Sequence, residues 1–291
     1  MTDLFDFKAK PSNYGVMGNP VRHSKSPQIH DMFASQCNIE MQYDRIQVDT
    51  GGFDQAVSHF AAHGGAGLNV TVPYKVEAWK MCKSEHNTIS KRADLAEAVN
   101  TLKFEQNGSV SGENTDGAGL VNDLENNIGL ELANLLILII GAGGAARGII
   151  DPILDCAPAC ITIANRTVSK ASTLIERFTD QVEKSPVTRL RACALSDIPD
   201  QPYDLIINGT AASLEGNLPG IDPACLSPNS TVYDMMYSPQ PTIFMSWALS
   251  CGVSQAHDGF GMLVEQAAES FFIWHGQRPQ TAPVIQAMRK I

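Results

Sequence analysis

The six residues Leu135-Leu-Ile-Leu-Ile-Ile140 run without a polar interruption and stop at Gly141-Ala-Gly-Gly-Ala-Ala146. A strand that apolar has to be covered on both faces, which a parallel sheet flanked by helices provides. The glycines force a tight turn, and a helix is expected beyond them through Ile149 and Ile150. Strand, glycine turn and helix in that order open a doubly wound fold that seats a dinucleotide. Gly141 permits the turn, Gly143 lets the backbone approach a pyrophosphate, and Ala146 is small enough for close helix–strand packing. The amides of Gly141, Ala142, Gly143, Gly144 and Ala145 are placed to hold that anion. Pro152 is expected to kink the helix, because it removes a backbone donor from the interior.

The pattern continues downstream with strands at 161–164 and 204–208 and a helix at 171–178. The strand that follows the glycine helix ends in Asn165-Arg166-Thr167, with Lys170 shortly after. An NAD site commonly presents a carboxylate there to the adenosine ribose. Cations in its place suit a 2′-phosphate, so NADP is favoured over NAD.

At 291 residues the chain is long enough for two domains. Its first third alternates strands at 14–17, 43–48 and 67–72 with helices at 26–37, 53–63 and 75–82. A hairpin is expected around Asn107-Gly108, a two-residue turn signal between 98–105 and 109–112. This is a second α/β unit, and the largely helical last forty residues are expected to pack back onto it. The expected fold is therefore α/β, with a substrate domain beside a Rossmann-type, doubly wound parallel-sheet nucleotide domain. Residues 1–115 with 259–291 form the first and 116–258 the second.

A formal net charge of −10 argues against nucleic-acid binding, which needs basic surface. No apolar run approaches 18 residues, so no membrane span is expected. The start, Met1-Thr-Asp-Leu-Phe-Asp-Phe-Lys8, does not read as a signal peptide. Seven cysteines, an odd number without Cys-x-x-Cys, read as reduced thiols of a cytoplasmic protein.

Several polar residues of the first unit stand at strand ends and helix starts. Ser24 and Ser26 precede a helix with Pro27 in its first turn, where dipole and free amides favour a carboxylate; Ser26 alone also reads as an N-cap. Asn69 and Thr71 share one strand face, and Lys75 follows the strand end. Taken singly, Lys75 is more often a surface cation, and Asn114-Thr-Asp116-Gly117 most often a turn with a capping Asp.

In order, Ser24-Lys-Ser26, Asn69-Val-Thr-Val-Pro-Tyr-Lys75, Ala98-Val-Asn100-Thr, Asn114-Thr-Asp116-Gly, Gly141-Ala-Gly-Gly-Ala and Asn165-Arg-Thr resemble the shikimate dehydrogenase family. Tyr233-Asp-Met235-Met-Tyr237 and Asp258-Gly259-Phe-Gly-Met-Leu-Val-Glu-Gln266 complete the series, which covers essentially the whole chain. The resemblance implies reversible reduction of 3-dehydroshikimate to shikimate with NADPH, in aromatic amino-acid biosynthesis. It implies Lys75 and Asp116 as the catalytic pair, and Ser24, Ser26 and Tyr237 around the substrate carboxylate. It places Asn69, Thr71, Asn100 and Gln266 around the ring, and Met235 and Gly259 beside the nicotinamide. The partners expected are small molecules only, with no metal, in a monomer or homodimer.

Three departures stand out. Glu97 occupies a position that is commonly Gly, Glu265 precedes Gln266, and Asn208-Gly-Thr-Ala-Ala replaces Asn-Ala-Thr-Ser. The two glutamates are expected to bear on domain closure or substrate affinity. Two other readings stay open. One is a quinate/shikimate dehydrogenase accepting NAD, against which Arg166 and Lys170 weigh. The other is a non-catalytic ligand sensor, which should lack part of the pair or carry an added DNA-binding segment.

Overall fold

The computed structural model describes residues 12–184, 188–210, 212 and 216–290, so the N-terminal stretch read for a signal peptide lies outside the described residues. In chain order the first unit comprises β1 (Ser12–Gly18), α1 (Ser26–Cys37), β2 (Met41–Gln47), α2 (Phe53–Ala62) and β3 (Gly65–Val70). It continues with α3 (Lys75–Cys82), β4 (Thr88–Ile89), α4 (Lys91–Ala96), β5 (Thr101–Phe104) and β6 (Val110–Glu113). Helix α5 (Asp116–Asn122) follows, continued by a π-helical stretch over Asp123–Ile128. The second unit runs through β7 (Leu136–Ile140), α6 (Gly144–Asp155), β8 (Cys160–Asn165), α7 (Val168–Glu176), α8 (Thr179–Lys184) and β9 (Arg189–Ala194). Then come β10 (Leu205–Asn208), β11 (Thr231–Asp234), α9 (Ile243–Ser250), β12 (Gln255–Asp258), α10 (Phe260–His275) and α11 (Ala282–Met288).

The apolar run becomes the central strand of a six-stranded sheet ordered β12-β11-β10-β7-β8-β9, and every neighbouring pair is parallel. This is the doubly wound order. Ile137 and Ile139 bury against Leu120, Ile149, Ile153 and Leu174 on one face. Leu138 and Ile140 bury against Phe244 and Ala248 on the other. Each fully buried aliphatic side chain stabilises by about 1.5–3 kcal/mol relative to exposure, so the run is most stable with both faces covered.

The other sheet is mixed, ordered β2-β1-β3-β5-β6-β4. β1 pairs in parallel with β2 and β3, while β5 runs antiparallel to β3 and β6. The β5–β6 hairpin is not closed by two residues. The Glu105 N–H donates to Ser109 O (2.9 Å), which leaves a three-residue connection, and only Gly108 takes a positive φ. Asn107 instead turns its side-chain oxygen to accept from the Ser109 N–H (3.0 Å), a local bond that competes with the tighter turn.

Helices α10 and α11 cover this unit. Phe260, Val264, Ala268 and Phe271 pack with Ile29, Phe33, Val284 and Met288 in one core cluster. α1 starts at Ser26 with Pro27 in its first turn and ends at Asn38 in the left-handed conformation. Its N-terminus corrects one expectation: Ser26 is inside the helix, and Lys25, the capping position, makes no side-chain cap bond.

Pro152 does not end α6, which continues to Asp155. It cannot donate to the Gly148 carbonyl, and α5 crosses at that place. A Cβ on Gly117 would lie 2.4 Å from Gly148 O and 2.6 Å from Pro152 Cγ, so only glycine lets the two helices approach this closely.

Candidate active site

Parallel strands of both sheets end towards a common edge, where open α/β sheets bind their ligands. β1 feeds the loop to Ser24 and Ser26, and β3 leads to Asn69 and Thr71. Asn100 precedes β5, which enters antiparallel from the same edge. From the second sheet, β11 delivers Met235 and Tyr237, and β12 delivers Gly259. These residues, with Lys75, Asp116 and Gln266, line a single cleft of about 380 Å³. His23, Val16, Val21, Met262 and Leu263 line it too. The sequence reading did not select these five.

At the cleft floor Lys75 Nζ lies 2.6 Å from Asp116 Oδ2, the side chains being 29% and 13% exposed. Lys75 opens α3 and Asp116 opens α5, where the helix dipole favours a carboxylate. Asn100 Nδ2 donates to Asp116 Oδ1 (2.8 Å) and to Thr115 Oγ1 (2.9 Å). The Asp116 N–H donates to Asn114 Oδ1 (3.1 Å), so both backbone and carboxylate are held. An ammonium braced against a fixed carboxylate in a part-enclosed cleft can deliver and recover a proton at a substrate oxygen.

Ser24 Oγ donates to Ser26 Oγ (3.1 Å) and accepts from the Ser26 N–H (3.3 Å). Ser26 is therefore free of the capping role and buried in the cleft wall. Arg45 holds the turn from behind, its Nε and Nη2 donating to Ser24 O at 2.9 and 2.6 Å. Tyr237 completes this hydroxyl group; burial raises its pKa, so the phenol remains a donor.

Asn69 reaches the cleft already engaged. Its Oδ1 accepts from the Tyr43 hydroxyl (2.7 Å), and its Nδ2 faces Ser270 Oγ (2.9 Å) and Thr101 Oγ1 (3.1 Å). Behind it His30 stacks on Tyr43 with ring centroids 4.3 Å apart. Complete burial lowers the His30 pKa to about 3, with Asn69 opposing the shift and His275 adding to it. Tyr43, Ser270 and His30 were not read from sequence, because the contacts that bring them together join residues far apart in the chain. Gln266 donates from Nε2 to Leu263 O (2.8 Å).

The rest of the expected nucleotide residues gather elsewhere. Gly141, Ala142, Gly143, Asn165, Arg166, Thr167 and Lys170 line a depression of about 300 Å³ with Gly209 and Thr210. Gly144 and Ala145 start α6 at its rim, while Met235 and Gly259 belong to the cleft. Asn165 Nδ2 donates to Thr167 O (2.8 Å), which folds the turn so that Arg166 and Lys170 are exposed. Space for a phosphorylated ligand is present: a Cβ at Gly143 would meet nothing within 4 Å. No carboxylate lines this depression among the described residues. A dinucleotide with a 2′-phosphate fits this donor set. Gly209 and Thr210 fall in the altered Asn208-Gly-Thr-Ala-Ala segment, of which Ala211 lies outside the described residues.

Glu265 is turned away from the cleft. It is buried and accepts from Asn127 Nδ2 (2.9 Å), which also donates to Asp123 Oδ1 (2.9 Å). Glu97 instead pairs with Arg147 (2.9 Å) and Arg177 (2.5 Å) of the second unit.

Comparison with known proteins agrees over nearly the full length. Residues 16–102 match the model of the shikimate dehydrogenase substrate binding domain, 123–215 that of shikimate / quinate 5-dehydrogenase, and 259–289 that of the shikimate 5′-dehydrogenase C-terminal domain. Shikimate dehydrogenase (NADP(+)) of Alkalilimnicola ehrlichii is 50% identical over 278 residues, covering 95% of this chain and 98% of that protein. The Marinobacter nauticus protein of the same name is 48% identical over 276 residues, again covering 95% and 98%. Among solved structures, shikimate 5-dehydrogenase of Thermus thermophilus, in complex with NADP(H) and shikimate, superposes with a TM-score of 0.82. It is 26% identical and covers 96% of this chain and 99% of its own. With the ordered motifs, the doubly wound sheet and these full-length matches in agreement, the chain belongs to the shikimate dehydrogenase family.

Proposed function

We infer that the protein catalyses the reversible NADPH-dependent reduction of 3-dehydroshikimate to shikimate. The observation that carries this reading is the Lys75–Asp116 contact, braced by Asn100, at the floor of a cleft walled by Ser24, Ser26 and Tyr237. NADPH, when bound, supplies the hydride that the protein's own side chains cannot. Gly141, Ala142, Gly143, Gly144 and Ala145 would hold its pyrophosphate, with Asn165, Arg166, Thr167 and Lys170 around the 2′-phosphate. Met235 and Gly259 would border its nicotinamide.

Lys75 Nζ gives a proton to the substrate oxygen as the carbonyl becomes an alcohol, and takes it back in the reverse direction. Its positive charge also stabilises the negative charge building on that oxygen. Asp116 accepts a hydrogen bond from the same hydroxyl and keeps the ammonium aimed. Ser24, Ser26 and Tyr237 donate to the carboxylate, while Asn69, Thr71, Asn100 and Gln266 fix the ring. Met262 and Leu263 supply apolar wall, and it is the hydroxyl group that selects an anionic substrate.

We assign residues 1–115 with 259–291 to the substrate domain and 116–258 to the nucleotide domain, in a cytoplasmic monomer or homodimer. The strands of the mixed sheet all lie before residue 115, and those of the parallel sheet all lie between 116 and 258. No helix of the described residues is long and apolar enough to cross a membrane.

Initial rates on shikimate and quinate, each with NADP and NAD, test the activity. Shikimate with NADP should be the fastest combination. Comparable rates on quinate would widen the substrate assignment, and no oxidation of shikimate would overturn it.

A further inference from the structure

The two ion pairs of Glu97 span the two sheets at a point tied to both half-sites. Glu97 ends α4 in the left-handed conformation, with φ of +48°, where glycine is favoured and any side chain is strained. A strained position that nonetheless carries a long acidic side chain points to work done by that side chain. Its Oε2 meets Arg147 Nη1 and its Oε1 meets Arg177 Nη1, all three side chains being about a quarter to a third exposed. Arg147 sits in the first turn of α6, its N–H donating to Gly143 O (3.0 Å), so it is fixed to the glycine-rich turn. Arg177 directly follows α7.

A pair of opposite polarity sets the register of this contact. At the other end of α4, Lys91 Nζ lies 3.5 Å from Asp151 Oδ1, one turn beyond Arg147 on α6. Exchanging the two pairs would bring like charges together, so α4 has one orientation on α6.

On the substrate side, the three residues after Glu97 hold both members of the candidate catalytic pair. Ala98 O accepts from Asn114 Nδ2 (3.0 Å), and Asn114 Oδ1 accepts from the Asp116 N–H. The Val99 N–H donates to Lys75 O (2.9 Å). Asn100 Nδ2 donates to Asp116 Oδ1. A shift of Glu97 relative to α6 therefore moves Lys75 and the Asn100 and Asn114 side chains against Asp116, which opens α5 and is itself packed on α6.

We propose that Glu97 is a positioning residue whose ion pairs with Arg147 and Arg177 hold Lys75, and the Asn100 and Asn114 braces of Asp116, in register with the nucleotide seat, coupling substrate to cofactor binding. This rests on the function inferred above. Coupling between sites typically amounts to about 5–150-fold in affinity, and residues that touch neither ligand can modulate it.

Two variants test it. Glu97→Gln keeps the shape and removes the charge; Glu97→Gly removes the clamp and also relieves the backbone strain, so it should fold at least as well as the parent. Shikimate and NADP dissociation constants are measured singly and with the other ligand present, alongside kcat and its primary isotope effect with shikimate deuterated at the oxidised carbon. Affinities for the single ligands should stay within about twofold. The factor by which one ligand tightens the other should fall at least about threefold, kcat should fall, and the isotope effect should rise as the chemical step slows. Arg147→Gln should reproduce these changes, and the Glu97→Gln/Arg147→Gln double variant should lose less than the sum of the two. Parent-like coupling, kcat and isotope effect in Glu97→Gln and Glu97→Gly would overturn the proposal while leaving the function standing. A parent that does not oxidise shikimate with NADP would overturn the function, and this proposal with it.

Discussion

The two sheets meet their ligands by different means. In the parallel sheet the proposed nucleotide seat is mostly main chain: a glycine turn after β7, a folded-back turn after β8, and exposed cations beyond. In the mixed sheet the cleft is built from side chains that hold one another. Asn69, Asn100, Thr101, Thr115 and Ser270 are all buried and share hydrogen bonds. A main-chain seat depends on backbone geometry and tolerates side-chain change. A shared side-chain network does not, because each loss leaves a buried partner unsatisfied at about 1–3 kcal/mol. Substitutions in the buried network of the mixed-sheet side should therefore reach turnover, while those of ligand-facing groups outside it, Ser24 on one side and Arg166 on the other, should stay in affinity.

The largest expected effect is at Lys75. Lys75→Ala should lower kcat by about 10²–10⁴-fold with shikimate affinity largely kept, as measured by steady-state rates and direct binding. Asp116→Asn should also impair kcat, and the double variant should lose far less than the product of the two, because the pair acts as a unit. Near-parent turnover in Lys75→Ala would take Lys75 out of the chemistry.

Next come two substitutions that set the sheets against each other. Ser24→Ala should raise KM for shikimate by about 1.5–3 kcal/mol and leave KM for NADP alone. Arg166→Ala should weaken NADP by about the same energy, spare shikimate, and change NAD much less, since NAD has no 2′-phosphate. Added salt should reduce the NADP preference of the parent more than that of the variant. Equal losses for NADP and NAD would mean that Arg166 only supports its loop.

What could be read from the sequence follows the same division. The parallel unit was legible because Leu135–Ile140 and the glycine turn carry their environment in composition alone, and because Asn165-Arg166-Thr167 stands at a predictable strand end. In the cleft, Lys75 and Asp116 gained meaning only as members of an ordered series; singly, each was ordinary. Tyr43, His30 and Ser270 left almost no trace, because their positions depend on α10 returning some two hundred residues later to lie beside β3. The Glu97 clamp was visible only as an oddity, since neither Arg147 nor Arg177 is near it in the chain. Strands β4, β9, β11 and β12 and helices α4, α5, α8 and α9 were not read, all of them being eight residues or fewer and too brief for a periodic signal.

The smallest expected effect concerns the one fully buried histidine among the described residues, which belongs to the mixed-sheet side. Unfolded, His30 takes up a proton near pH 6.5; folded, it stays neutral until about pH 3. Folding stability conferred by neutral His30 is thus full above pH 6.5 and declines as pH falls through that value, by up to about 1.4 kcal/mol per unit. His30→Leu removes this component. Denaturant unfolding of parent and variant from pH 8 to 5 should show their stability difference changing in the variant's favour as pH falls. Asp123 shifts the other way, since burial raises its pKa, but it is present in both proteins and cancels. A difference that is constant with pH would show that His30 is not held neutral.

The crossing of α5 over α6 bears on how such a protein can drift. Two neighbouring positions there are each defined by something missing: a side chain at Gly117 and an amide hydrogen at Pro152. Replacing Pro152 restores a donor but leaves the helices too close for any residue at 117 larger than glycine. Enlarging Gly117 first drives a methyl group into a carbonyl oxygen. Position 117 is closed whichever residue stands at 152, so a library that randomises one position at a time would score Gly117 as immutable. Only concerted change, with the helices moving apart together, could reset the spacing between the residue that opens α5 and the turn that precedes α6.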